Sequence, residues 1–318
     1  MLGGFLVVIW FISPIMWGVS IPPHPFSDFC SSSILAKNVW YSQYMPMSIG
    51  ISFDNTGAQY NLSAIITNNT FDQAKYEQYS PMFLPITYAI TYGTIFATYP
   101  AVVVHTFLWY RHDIVRQFRR SLKDENDIHC HLMSRYREVP RLWFIALGLV
   151  SLVIGIIGIE VCNTGLPVWA FFISILFAAI FVVPFGIVQA ITNQQFYLAV
   201  LAEIFIGYVL PGRPLAAMVF KTMGGTTVIQ AVAYSSDLKL GHYMKIPPRL
   251  MFTGQILASI VALITAIVAQ QWALNNIPDI CSPHQKHFFT CPNLNVFNTA
   301  AIIWGGIGPR RLFSAGAL

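Results

Sequence analysis

NQQFYLAVLAEIFIGYVLPGRPLAAMVFKTMGGTTVIQAVAYSSDLKLGHYMKIPPR, residues 193 to 249, is an apolar run interrupted twice, at Pro211-Gly212-Arg213-Pro214 and at Gly224-Gly225. Proline removes a backbone donor and glycine loosens a helix, so the groups freed there must find partners inside protein or in a wet cavity rather than in lipid. Broken helices of this kind near the middle of a bilayer expose backbone dipoles to a solute. The stretch predicts a hairpin, with one limb from Phe196 to Leu210, a turn at PGRP, and a second limb broken at Gly224-Gly225. The competing reading is a proline-kinked packing helix.

Composition agrees with a membrane setting. The chain of 318 residues is 55% hydrophobic and only 10% charged, against roughly 25% charge in soluble domains, and its mean hydropathy is +0.59. The net charge of +5 does not point to nucleic acid, because the basic residues gather in loops between apolar spans instead of forming a solvated patch among stacking aromatics. An intramembrane enzyme would need a constellation such as HExxH, GxSxG or paired catalytic aspartates, and none is present. His242 and Met244 lack a second cluster at metal-ligand spacing, so no metal site is expected.

Read in order, Met1 to Ser20 has about the length needed to cross a bilayer and is expected to be a membrane helix kinked near Pro14. Residues 21–81 are polar and aromatic, carry only Lys37 and Lys75 as basic residues, and hold two acceptor sequons at Asn61 and Asn68; they read as an extracellular loop. Residues 82–318 form the multi-span core. Between Arg111 and Arg141 lie eight of the chain's 18 basic residues, which marks this loop as cytoplasmic. Helices are expected from Leu142 to Cys162, from Pro167 to Thr192 through a kink at Pro184, and from Leu250 to Trp272. Residues 273–294 then face outside, and Pro309-Arg310-Arg311 returns the chain to the cytoplasm. Cys281 and Cys291 share the outer loop, where oxidation is allowed, and are expected to form a disulfide.

The same central stretch carries a family resemblance. NQ before an apolar helix with Glu203, then Gly207-Tyr208, PGRP, Phe220-Lys221, Gln230-Ala231 and above all DLKLGHYMKIPPR from Asp237 to Arg249 resemble the peptide-transporting branch of the oligopeptide transporter family. The likeness extends through FDNTG and YN (Phe53 to Asn61), Ser80-Pro81, His105-Thr106, Cys281 with FTCP (Phe289 to Pro292), and IWGGIGPRRLF (Ile303 to Phe313), nearly the whole chain. The resemblance implies proton-coupled symport of short peptides, glutathione and, in some members, metal chelates. No cofactor beyond the coupling proton is implied.

Glu203 is the strongest proton-site candidate, because an ionised carboxylate in mid-helix is costly without a partner; the alternative is a neutral glutamic acid bonding two helices together. His105 can relay protons near neutrality or sit as a hydrogen-bonded interfacial histidine. Asn193, Gln194 and Gln230 are amides able to donate to and accept from a peptide backbone, or to join helices. Arg213 and Lys221 can hold a carboxylate, or snorkel to the head groups. Asp237 with Lys239, and Lys245 with Arg249, read either as a charge-paired cytoplasmic gate or as positive-inside anchors.

The expectation is therefore an all-α, polytopic transmembrane protein with broken or re-entrant helices, seven or eight membrane segments in all, that imports short oligopeptides with protons across the plasma membrane. Metal-chelate or siderophore-type transport is the alternative within the class. A secondary transporter rocks two halves about a shared site. Because the first span begins at Met1 and RRLFSAGAL follows a segment too short to cross alone, the chain is expected to need the missing segments of a longer transporter; the other reading is a non-transporting truncated fragment. The topology is tested with single cysteines and an impermeant thiol reagent: one at Asn61 should label from outside and one at Ser121 should not, and the reverse pattern would invert the assignment.

Overall fold

The computed structural model describes residues 7–12, 46, 50–119, 128–192, 198–282, 285–287, 289 and 291–313. Only 7–12 of the expected first span falls within them, so that span lies largely outside the described residues. In chain order the strands β1 (Ile66–Thr67) and β2 (Thr70–Phe71) precede α1 (Gln73–Tyr79) and α2 (Ile86–His105). Next come α3 (Arg111–Arg119), α4 (Ile128–Met133), α5 (Arg141–Val161) and α6 (Val168–Thr192). The hairpin supplies α7 (Ala199–Val209), α8 (Pro214–Lys221) and α9 (Thr227–Tyr243), and the chain continues with α10 (Pro248–Asn276), α11 (Pro292–Ala300) and α12 (Pro309–Phe313). Among the described residues the fold is all-α apart from two isolated bridges of Phe53 and a β-hairpin, whose turn residues Asn68 and Asn69 both have positive φ, the two-residue geometry that suits strand twist.

Four helical runs among the described residues are long and apolar enough to cross a bilayer: α5, α6, the run Pro214–Tyr243 and α10. The exposed faces of α5 and α10 carry leucine, isoleucine, valine and tryptophan, as lipid-facing helices do. In α2, threonines dilute the apolar character; Thr91, Thr94 and Thr98 each donate to the carbonyl four residues back, which satisfies the hydroxyl inside the helix. α6 runs on through Pro184 without a break.

The described chain divides into two compact units, residues 1–107 with 211–214 and 292–318, and residues 108–210 with 215–291. In the first, the segment 53–83 folds on its own polar centre. Asp54 is buried and accepts from the Thr56 amide and hydroxyl, the Ala58 amide and the Tyr79 hydroxyl. Burial opposes its charge, yet these donors together hold its carboxyl below the ordinary aspartate value. Tyr60 and Ile65 then pack against Ile302 and Ile307 of the π-helical segment Ala301–Ile307, every residue of which is buried. Because that segment packs its aliphatic residues into the 53–83 core, Arg311 reaches Gln73 Oε1 at 3.1 Å. This corrects the sequence reading, which set Gln73 outside and Arg311 in the cytoplasm: the two share a side.

In the second unit, Ala178, Leu198, Val228 and Val232 form a core walled by Phe177, Phe181 and Phe185. Gly224-Gly225, expected as a break, instead lie in a π-helical turn, Thr222–Thr226, that joins α8 to α9 without interruption. The glycines serve close approach: a Cβ on Gly225 would sit 2.8 Å from Ala199 Cα. In the same unit Cys281 and Cys291 are joined by a disulfide, with Cα atoms 4.7 Å apart, and the buried Gln285 accepts the His287 and Phe289 amides across that loop. Gly225→Ala should lower the melting temperature of the purified protein in detergent, whereas Gly254→Ala, whose Cβ meets nothing within 4 Å, should leave it unchanged or raise it, since alanine favours a helix by about 1 kcal/mol over glycine. Equal effects of the two substitutions would remove the packing role from Gly225.

Candidate functional site

The hairpin forms because its sequence punctuates itself. α7 buries Ala199, Val200, Ala202, Glu203, Ile206 and Gly207, one face at helical spacing. The helix ends before Pro211, and Gly212 adopts a φ of +80°, a conformation that glycine alone enters at no steric cost. Pro214 then opens α8 at the position where its missing N–H is not needed.

The turn brings the two limbs together so that Lys221, at the end of α8, forms an ion pair with Glu203. The side chains are 10% and 1% exposed. On the same limbs the rings of Phe205 and Phe220 stack at 5.7 Å, and Phe177 of α6 lies 6.1 and 6.2 Å from those two rings. In so apolar a setting either charge alone would carry a desolvation cost of several kcal/mol, and the pair survives because each charge offsets the other. Lys221, expected as a substrate contact, is thus committed to Glu203. Loss of the Glu203 charge would leave a buried ammonium without this counter-charge.

The remaining candidates scatter. Asn193 and Gln194 lie outside the described residues. Gln230 is exposed on α9, and His105 is exposed at the C-terminal end of α2. Arg213 is exposed in the turn. Asn61 is exposed and its side chain caps a short 3-10 turn by accepting from Ser63, while Asn68 stands exposed at the tip of the β-hairpin.

The expected charge pairs of the gate are replaced by other partners. Lys245 Nζ lies 2.6 Å from His129 Nδ1, and Arg249 donates to the Glu138 carbonyl at 3.1 Å. Lys239 sits 5.0 Å from the centre of the Tyr243 ring, whose edge-to-face neighbour at 5.2 Å is His129. Cys130 Sγ is 3.8 Å from His242 Nε2. The segment 237–249 therefore docks on α4 of the basic loop. Sequence reasoning missed His129 and Cys130, although the alternating histidines in IHCHLM were visible. It also missed the pairing of two opposite charges, one in each limb of a hairpin already recognised. Among the described residues no group of three or more His, Cys, Asp or Glu side chains could hold a metal ion.

Helices of this length and apolarity define an integral membrane protein. The chain matches the family described as OPT oligopeptide transporter protein over residues 1–317 and belongs to that family, whose members are transporters rather than enzymes. It is 42% identical over 278 residues to the sexual differentiation process protein isp4 of Schizosaccharomyces pombe, covering 87% of this chain and 35% of the relative. Glutathione transporter 1 of the same yeast is 36% identical over 99% of this chain and 35% of its own length. Oligopeptide transporter 1 of Saccharomyces cerevisiae is 38% identical over 88% of this chain and 35% of its own length. The chain thus spans about a third of the length of these relatives. No solved structure matches it.

Breaking the ion pair one member at a time should destabilise the purified protein strongly, by about 3–5 kcal/mol for Glu203→Gln or Lys221→Met, because each leaves a buried charge alone. The double substitution should recover most of that loss in thermal unfolding. Additive losses would show that the two side chains do not act as a pair.

Proposed function

We propose that this chain forms part of a carrier that imports short peptides, glutathione-like ones included, together with a proton across the plasma membrane. The observation that carries the proposal is the buried Glu203–Lys221 pair between the limbs of the hairpin, in a chain whose relatives bear the names glutathione transporter and oligopeptide transporter. A proton on Glu203 neutralises the carboxylate and leaves the Lys221 ammonium buried without its counter-charge, a state that favours a different packing of the limbs. Loss of the proton restores the pair. Proton binding and hairpin packing are then linked, as coupling requires.

The proton is the only coupling species in this reading, and no cofactor enters it. Asn193, Gln194 and Gln230 supply amides for a peptide backbone, and Arg213 supplies a guanidinium for a carboxylate. Residues 21–81 and 273–294 face outside, consistent with the disulfide at Cys281 and Cys291 and with acceptor sequons at Asn61 and Asn68, and the loop from Arg111 to Arg141 faces the cytoplasm.

The test places this chain in the corresponding third of the isp4 relative and measures uptake of a labelled tetrapeptide in cells at an acidic and a neutral external pH. The unaltered chimera should accumulate more peptide at acidic pH. Glu203→Gln, which keeps the shape and removes the titration, should lower the amount of carrier at the surface and make the uptake per surface carrier independent of pH. Proton-driven accumulation that persists in the Gln variant would return Glu203 to a structural role.

A further inference from the structure

Two unlike faces run along α9, and both belong to the second compact unit. One is buried: Val228 and Val232 pack with Ala178 and Leu198, and Gly225, just ahead of them, lies against Ala199. The other is polar. Thr226, Gln230, Tyr234 and Asp237 follow one another at intervals of four, four and three residues, which sets them in one row along the helix, and all four are exposed. Gln230 stands near the middle of the 30-residue run Pro214–Tyr243, and Asp237 lies about 10 Å further along the axis.

α10 borders this row on one side. The Tyr234 and Ser259 hydroxyls share a hydrogen bond at 2.8 Å, and Gln255 donates to the Tyr234 carbonyl at 3.2 Å. Away from that edge α10 exposes Leu257, Val261, Ile264 and Val268, the surface that a lipid-facing helix shows. A hydroxyl can face hydrocarbon by bonding the carbonyl four residues back, as Ser235 does with Ala231. The side chains of Gln230 and Asp237 have no such recourse in lipid, which offers an amide or a carboxylate neither donor nor acceptor; at membrane depth they turn to protein or to water. Helix contacts in lipid use small residues, as the opposite face does at Gly224-Gly225. The row instead carries bulky polar groups over about 16 Å of helix, a surface suited to water.

We propose that this face of α9 is the wall of a water-filled path through the membrane, along which the peptide passes. The inference rests on the peptide reading given above and adds the surface on which the peptide moves. At each turn Thr226, Gln230, Tyr234 and Asp237 offer hydrogen-bonding groups to a backbone that has shed part of its water.

The experiment takes the chimera described above with Thr226→Cys, Gln230→Cys or Asp237→Cys, and with Val228→Cys and Leu263→Cys as references for the buried face and for the lipid-facing side of α10. Membranes opened to both sides are treated with a hydrophilic thiol reagent, and labelling is read by mass spectrometry on the protein fragment that carries each position. The three positions of the row should label about tenfold or more faster than both references, because the thiolate is the reacting form and apolar surroundings keep a thiol protonated. Excess tetrapeptide should slow labelling at Gln230→Cys severalfold. Should that variant fail to reach the membrane, the same protection is read at Thr226→Cys. Labelling of the row as slow as at Leu263→Cys overturns the inference, while the peptide reading stands or falls separately on uptake by the unaltered chimera. Fast labelling that the tetrapeptide leaves unchanged overturns the path as the one the peptide takes.

Discussion

A carboxylate and an ammonium buried together in an apolar hairpin constrain everything near them. Neither Glu203 nor Lys221 can be taken out of water singly without a cost of several kcal/mol, so the two limbs can pack only in a register that joins them. That register explains the PGRP turn, which must reverse the chain within a few residues. It also explains Gly225, where a side chain would push α9 away from Ala199 and with it the end of α8 that carries Lys221. Burial keeps water from the pair, which strengthens the attraction and raises the penalty for breaking it. A device of this kind adds little net stability compared with apolar residues of the same size.

Much of the helical architecture was legible because lipid demands long apolar runs. α5, α6 and α10 follow from hydropathy alone, and the turn at Pro211 to Pro214 follows from what proline and glycine do to a helix. Glu203 stood out for the same reason. Its partner did not, because pairing is a tertiary fact: Lys221 read alone is equally suited to a head group, a substrate or a carboxylate. Gly224-Gly225 was misjudged because glycine has two uses in a helix, freeing the backbone and admitting a neighbour, and only the position of Ala199 distinguishes them.

The segment 53–83 shows a different limit. Its tyrosines and polar residues lack any periodicity, so it read as loop. Its order comes from a buried carboxylate satisfied by donors within four residues and by Tyr79 twenty-five residues on. Once that knot is tied, Tyr60 and Ile65 offer an apolar face, and the segment Ala301–Ile307 covers it. The apparent return of the chain to the cytoplasm at Arg310-Arg311 was inferred from charge alone. Charge biases orientation only where a helix is free to cross, and here the preceding residues are committed to the core of the same unit.

Charges elsewhere in the molecule behave differently, and the difference is itself informative. Lys245 and Arg249 reach a histidine ring and a backbone carbonyl, and Lys239 rests near a tyrosine, where the sequence read either charge pairs or positive-inside anchors. Near water an ion pair contributes only about 0 to 1 kcal/mol, so nothing forces opposite charges together, and packing decides where long cationic side chains rest. Within the apolar hairpin that freedom is lost, and Glu203 takes the cation within reach. The pairing of charge in this protein therefore follows burial: where water reaches, a cation docks the end of α9 onto α4 through a histidine ring, and where it does not, charge must meet charge.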